Sequence, residues 1–212
     1  QEGSYGPAFQ LIGASFFGQC LGLLIHTCAM HFLGSANPVA EVNEEEEEEM
    51  ADADAVIGTV DSGWGPLSRL LDAGRLGASA EMLGVGSGAM DMTFTYLKQR
   101  KQFGRLIGEF QSLQHRAAHL YGEMEGARSV VIKAQHLLDD GDPRAELFVA
   151  AAKAKTGKAC NLAVREGVQM HGGIGMTDEY DIGLYMKRDR ALNEFFGDSY
   201  FHADRVASMN GY

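Results

Sequence analysis

The strongest constraint on the fold is an unbroken helical pattern of apolar residues between positions 110 and 138. Apolar side chains recur there three or four residues apart, at Phe110, Leu113, Ala117, Leu120, Met124, Ala127, Val131, Ala134 and Leu138. Because an α-helix has 3.6 residues per turn, this spacing places all of them on one face. Such a long helix must cover its apolar face with other helices, so the pattern predicts one member of a helical bundle.

Long helices are also predicted on both sides of this segment. No proline interrupts residues 67–99, and the five glycines between positions 74 and 88 predict close packing, because glycine otherwise weakens a helix. After the second helix, Gly141 is a stop signal, Asp142 a cap and Pro143 a first-turn residue for a third helix that reaches about His171.

Two shorter helices complete the predicted fold. Thr177 is a candidate cap for a fourth helix that ends near Asn193, and a last short helix starts near Ser199. We find no hairpin signal and no alternating strand pattern. The sequence therefore predicts an all-α fold over residues 55–212, namely an antiparallel four-helix bundle with a short extra C-terminal helix.

The N-terminal segment, residues 1–54, is poorly defined and remains unassigned. Residues 8–34 lack charged side chains but contain two glutamines and two histidines and have no basic flank, so we expect no membrane span. Residues 41–54 hold nine acidic residues and no basic one, which indicates an acidic linker. The rest of the chain balances 20 acids against 18 bases, without the broad basic face that nucleic acid requires.

The cysteines indicate a reducing environment. The chain has three, Cys20, Cys28 and Cys160, with no C-x-x-C motif, so we expect no disulfide framework and a cytoplasmic location. The spacing of His26, Cys28 and His31 matches no standard metal site, and we predict no metal.

Two motifs carry chemical information. The first, QRKQFGRLIGEFQ at residues 99–111, surrounds a Phe–Gly turn with basic side chains, and guanidinium groups suit phosphate oxygens. The second, EGVQMHGGIGMT at residues 166–177, is glycine-rich like a dinucleotide loop, yet it follows a predicted helix rather than a strand. Taken alone, the first is also typical of a solvated helix end, and the second of a helix C-cap.

As a set, four segments resemble the C-terminal helical domain of the acyl-CoA dehydrogenase family. They are LLDAGRLGASAEMLG at 70–84, YLKQRKQFGRLIGEFQ at 96–111, AVREGVQMHGGIGMTDEY at 163–180 and YMKRDRA at 185–191. Their order and spacing match the family over about residues 55–205. The family's N-terminal helical domain and most of its middle β-domain have no counterpart.

The resemblance implies that the two motifs bind the FAD of a neighbouring subunit across a dimer interface, in a homodimer or homotetramer. Arg100 would face the pyrophosphate. The other contacts would come from Gln102, Phe103 and Gln111 at the nucleotide half, and from Gln169, Gly172 and Gly173 at the adenosine end.

The resemblance also implies α,β-dehydrogenation of an acyl-CoA thioester, with electrons passed to an electron-transfer flavoprotein. The family's glutamate base stands at one of two places, which here hold Phe196 and Gly74. Asp198 is the best remaining candidate for the base. Asp72 and Arg75 match positions that border the substrate site and would contact acyl-CoA.

Three interpretations stay open. The chain is an acyl-CoA dehydrogenase-like flavoprotein, or its C-terminal part, with an unusual base. Alternatively, it is a non-catalytic helical subunit that dimerises and completes the FAD site of a base-bearing paralogous partner. The third interpretation is a truncated or mis-joined gene product, suggested by residues 1–50.

Overall fold

The computed structural model describes residues 61–212, and the predictions for residues 1–60, including the apolar segment and the acidic linker, lie outside this range. The described part is a bundle of five helices. In chain order these are α1 (Trp64–Gln99), α2 (Gln111–Asp139), α3 (Ala145–His171), α4 (Ile182–Glu194) and α5 (Ser199–Met209). The all-α fold class is confirmed.

Helix α3 is the centre of the bundle and packs against all four other helices. It is rich in alanine and glycine, and small side chains allow neighbouring helices to approach it closely. One cluster joins it to α1 and α4 around Met82 and Ile182, and a second joins it to α1 and α2 around Leu120 and Met124. Because α3 belongs to both clusters, it is buried on several faces.

The apolar face of α2 is confirmed through its middle. Leu120, Met124, Ala127, Val131 and Ala134 are all buried. Near the C-terminus, however, the buried residue is Leu137 rather than the predicted Leu138, which is only half-buried. At about 100° per residue, Leu138 stands at the same angle about the helix axis as Leu120, so the burial of Leu137 shows that the packed face changes direction at the C-terminal end of α2.

Two predicted helix starts are wrong. Helix α3 begins at Ala145, because residues 142–144 form a turn in which the Asp142 carboxylate accepts hydrogen bonds from Arg144. Helix α4 begins at Ile182 rather than after Thr177, whose hydroxyl donates instead to the carbonyl of Ile174 at 2.8 Å. Thr177 therefore ends the short 3-10 segment Gly172–Met176 and caps no α-helix.

A two-stranded hairpin between α1 and α2 corrects the expectation of no β-structure. Strand β1 (Lys101–Gln102) pairs antiparallel with β2 (Arg105–Leu106), with Lys101 opposite Leu106 and Gln102 opposite Arg105. A 3-10 segment, Ile107–Glu109, then leads into α2. The hairpin has no apolar alternation because its residues are exposed or half-buried, so hydrophobic periodicity could not reveal it.

Candidate functional site

The hairpin presents an aromatic ring to solvent at one end of the bundle. Its two turn residues, Phe103 and Gly104, have φ angles of 55° and 80°. Left-handed backbone at both positions is the geometry of a tight two-residue hairpin. The Phe103 side chain is 91% exposed, and its ring meets the edge of Phe110 at 6.2 Å between centroids. The Arg105 guanidinium lies 4.3 Å from the centroid of the Phe110 ring, and this cation–π contact stabilises the turn.

The glycine-rich segment forms the C-terminal end of α3. The Gly172 amide donates to the carbonyl of Gln169 and ends the helix with φ 67° and ψ −141°, a conformation that requires glycine. Gln169, Gly172 and Gly173 are all exposed. The segment therefore combines the predicted helix cap with bare, accessible backbone.

An aromatic cluster places the hairpin and the glycine-rich segment at the same end of the bundle. The ring of Tyr96, in the last turn of α1, stacks on His171 at 4.4 Å between centroids, and Tyr180 contacts both rings. His171 is held in turn by its Nδ1, which donates to the Gly167 carbonyl at 2.6 Å. Gly172 directly follows His171, and Arg100 lies one turn after Tyr96, whose carbonyl accepts a hydrogen bond from the Arg100 amide at 2.9 Å, so the two predicted FAD-binding motifs lie side by side.

Four polar side chains predicted to bind the cofactor have no polar partner within residues 61–212. No hydrogen bond or ion pair in this range engages the side chains of Arg100, Gln102, Gln111 or Gln169, and all four are exposed. They are free to bind a ligand or a second subunit.

An open apolar groove of about 440 Å³ lies beside the hairpin, between the C-terminal part of α1 and the first half of α2. Its walls include Phe94, Leu97, Ala117 and Tyr121. Gly108 of the first motif also lines it, but none of the predicted site residues does, so the groove adjoins that motif without including its predicted cofactor contacts.

The two positions at which the resemblance places the family's base, 74 and 196, are in contact at another place in the bundle. A Cβ atom added to Gly74 on α1 would stand 2.7 Å from the Phe196 ring. Phe196 lies in the turn between α4 and α5 with a φ of 61°, and Phe195 packs on it at 4.2 Å between centroids. The structure therefore brings both base positions together and fills them with an aromatic ring and a hydrogen atom.

The Asp198 carboxylate acts as the N-cap of α5. Its Oδ1 accepts a hydrogen bond from the Phe201 amide at 2.7 Å, which satisfies one free amide of the first turn. Two other nearby acids are also paired: Glu81 forms an ion pair with Arg188, and Glu194 lies 3.4 Å from Arg190. The role of Asp198 as a base stays a prediction, beside this observed structural role.

Asp72 and Arg75 face each other in a buried ion pair. Arg75 Nη1 donates to Asp72 Oδ1 at 2.8 Å, and the two side chains are 13% and 9% exposed respectively. Arg205 of α5 approaches the same oxygen at 3.7 Å and also pairs with Glu146. Their contact with acyl-CoA stays a prediction, and the shown contacts link α1 to α5.

Two buried groups at the α4–α5 turn escaped the sequence analysis. Lys153 of α3 is fully buried, and burial lowers the pKa of its ammonium to about 8 against the opposing effect of nearby carboxylates. His202 of α5 is fully buried as well, and burial, aided by the cations Arg75, Lys153 and Arg205, lowers its pKa to about 4. One sequence signal could have revealed the burial of Lys153. It lies four residues after Val149 and four before Gly157, both of which are buried on α3.

The comparisons with known proteins agree with these features. The profile of the acyl-CoA dehydrogenase C-terminal domain matches residues 61–209. This chain belongs to the acyl-CoA dehydrogenase family. It is 33% identical over 152 residues to the bovine mitochondrial short/branched chain specific acyl-CoA dehydrogenase, which covers 72% of this chain and 35% of that relative.

Two further relatives extend the comparison. Subunit CarC of the caffeyl-CoA reductase–Etf complex from Acetobacterium woodii is 33% identical over 153 residues, covering 72% of this chain and 40% of that subunit. The solved structure of butyryl-CoA dehydrogenase from Megasphaera elsdenii superposes with a TM-score of 0.67 at 28% identity, covering 70% of this chain and 38% of that chain. The chain thus spans little more than a third of the length of the relatives it matches.

Residues 61–212 contain neither a membrane-spanning helix nor a cluster of metal-binding side chains. None of the helices in this part of the chain is both long and apolar enough to cross a membrane. Nor does this range contain a group of three or more histidine, cysteine, aspartate or glutamate side chains that could hold a metal ion.

Proposed function

We propose that this chain provides the C-terminal helical domain of an acyl-CoA dehydrogenase-like flavoprotein, which oxidises the Cα–Cβ bond of an acyl-CoA thioester. One observation carries the proposal: the Phe103 hairpin and the Gly172 segment stand side by side at one end of the bundle, and both are exposed to solvent. Because the chain belongs to the acyl-CoA dehydrogenase family, we interpret this arrangement as part of an FAD site. Bound FAD would supply the acceptor for the hydride that leaves the β-carbon.

The residues present fit an FAD molecule held from a neighbouring subunit. Arg100 offers a charged fork for the pyrophosphate, and Phe103 offers a flat ring for stacking. Gln102 and Gln111 would complete the contacts at the nucleotide half, whereas Gln169, Gly172 and Gly173 would line the adenosine end. A Cβ added to Gly172 would meet no atom within 4 Å, so the bare backbone is open to a ligand. Because these groups all point to solvent, the proposal includes a homodimer or homotetramer.

The substrate side is proposed on the same basis. Asp72 and Arg75 would border the bound acyl-CoA, and an electron-transfer flavoprotein would accept the electrons, in a reaction located in the cytoplasm. Asp198 is the remaining candidate base, because it lies two residues after Phe196 and keeps one carboxylate oxygen outside its capping bond.

A titration of FAD tests the cofactor proposal. Arg100→Ala should weaken FAD binding to the full chain by about 1.5–3 kcal/mol, the scale of a hydrogen bond to a charged group. The measurement is quenching of flavin fluorescence, with Arg190→Ala as the control, because Arg190 is an exposed arginine of α4. Equal affinities for the wild type and Arg100→Ala would remove Arg100 from the site, and absence of FAD binding by the wild type would contradict the proposal.

The contact between Gly74 and Phe196 favours a second candidate function, a non-catalytic subunit that completes the FAD site of a base-bearing paralogue. Loss of a general base alone typically slows a reaction about 10²–10⁴-fold. With FAD, a panel of acyl-CoAs and an artificial electron acceptor, the chain alone should then show no turnover, and activity should appear after mixing with such a paralogue. Turnover by the chain alone that Asp198→Asn abolishes would instead establish Asp198 as the base.

A further inference from the structure

The α4–α5 turn is tied to the centre of the bundle by one buried side chain. Lys153 Nζ, on α3, donates to the carbonyl oxygens of Leu192 and Asn193, both at 3.0 Å, and to that of Gly197 at 2.9 Å. The first two carbonyls belong to the last turn of α4, where helical carbonyls lack intrahelical partners. One ammonium therefore satisfies three backbone acceptors on either side of Phe196.

The turn is fixed from a second side by α5. His202 Nε2 donates to the Phe196 carbonyl at 2.9 Å, because a carbonyl can only accept. Phe196 and Gly197 have φ angles of 61° and 100°, so two consecutive residues adopt left-handed backbone. Such a backbone costs free energy for phenylalanine and persists only when the surrounding contacts hold it.

The three hydrogen bonds of Lys153 depend on the protonation state of its amino group. An ammonium has three N–H donors, which match the three carbonyls. A neutral amine has two donors and a lone pair, so one of the three carbonyls would lose its hydrogen bond and face the lone pair instead. The ammonium is sealed from solvent, and water cannot replace the lost donor.

We propose that Lys153 is a positioning residue whose protonated ammonium clamps the α4–α5 turn, and that its deprotonation releases one carbonyl and shifts the segment bearing Phe196 and Asp198. This clamp acts on the turn that holds Phe196, one of the two positions at which the resemblance places the family's base. It does not depend on the proposed function, and its test needs neither flavin nor acyl-CoA.

The charged groups around Lys153 distinguish its titration from that of His202. Asp189 and Glu194 of α4 and Asp198 of the turn face the ammonium and raise its pKa, whereas burial lowers it more strongly, to about 8. His202, whose pKa is lowered to about 4, is already uncharged well below that pH. The cations Arg75 and Arg205 act on His202 and help to lower its pKa.

The test is a pH titration of the full chain by nuclear magnetic resonance between pH 6 and 10. The amide of Asp198 follows the Gly197 carbonyl, so its ¹⁵N shift should change with a midpoint near that of the Lys153 ¹³Cε resonance. Lys153→Met should abolish this transition of the Asp198 amide. Lys155→Met is the matched control on α3, because Lys155 pairs with Glu123 on α2 and does not contact the turn, and it should leave the transition unchanged.

Two results would overturn the clamp. One is a flat Asp198 amide signal, or one with a midpoint different from that of Lys153, in the wild-type chain. This comparison needs no variant, so it decides the question even if Lys153→Met does not fold. The other is persistence of the transition in folded Lys153→Met.

Discussion

At the residue scale, Gly74 and Phe196 pack directly against each other. The Phe196 ring occupies the space that any side chain at position 74 would need, so the residues at these two positions constrain each other. A carboxylate installed at either position would displace a packed group. Positions 74 and 196 can therefore not be treated as independent sites.

A double-mutant cycle tests this coupling. Gly74→Ala should destabilise the fold by about 1–3 kcal/mol, the usual cost of overpacking, because its methyl would collide with the Phe196 ring. In a Phe196→Ala background the same change should cost less, since the ring is gone. The measurement is the free energy of unfolding by denaturant.

The control for that cycle is Gly77→Ala, on the same helix. A Cβ at Gly77 meets nothing within 4 Å, so this change should stabilise the helix, by at most about 1 kcal/mol. Additive effects of Gly74→Ala and Phe196→Ala would show that the two residues do not interact in solution.

At the element scale, α2 shows how one apolar face fixes a helix in the bundle. Leu120 is fully buried in a cluster with Met124 and Ala163, among others. Leu120→Ala should cost about 2–5 kcal/mol, through lost apolar burial and the cavity left behind. The same substitution at Ile132 of α2, which is 49% exposed, is the control and should cost much less. Equal melting behaviour of the two variants would contradict the assignment of this face as core.

The start of α5 depends on the Asp198 cap. Asp198→Ala should lower the free energy of unfolding by about 0.5–2 kcal/mol, because the Phe201 amide loses its partner. Asp198→Asn should retain most of the stability, since asparagine is also a good cap. Asp204→Ala, at an exposed position of the same helix, should have little effect. An equal loss in the alanine and asparagine variants would show that the charge matters, not the cap.

At the scale of the whole molecule, the buried histidine of α5 makes stability depend on pH. The pKa of His202 falls from 6.5 to about 4 on folding, so the unfolded chain binds its proton first as the pH drops. The resulting contribution to stability is complete above pH 6.5 and is lost as the pH falls towards 4. The loss of stability relative to pH 7 amounts to about 3 kcal/mol at pH 4, from 1.36 kcal/mol per pKa unit.

The measurement is denaturant unfolding of the wild type and His202→Gln between pH 4 and 7. Glutamine keeps a donor for the Phe196 carbonyl but does not titrate, so the variant should lose less stability towards pH 4. His136→Gln, at an exposed position of α2, should follow the wild type. Parallel pH profiles for the wild type and His202→Gln would show that His202 is not the group that drives acid unfolding.

Features that depend on local periodicity and local capping could be predicted from the sequence. The apolar face of α2, the long helix α1 and the start of α5 at Ser199 all follow from spacing or from a cap one residue earlier. Family membership was also readable, because the motifs keep their order and spacing. The start of α4 was not, since the Thr177 hydroxyl had a local alternative partner in the Ile174 carbonyl.

Contacts between side chains across the bundle could not be predicted from local sequence patterns. Lys153 reaches carbonyls 39 to 44 residues away, and the Phe196 ring closes on a glycine of the first helix. Likewise, the stacking of Tyr96 on His171 unites two motifs that the sequence could only place separately. Such contacts depend on how the helices pack and in which register, and this is set by the whole core rather than by any one segment.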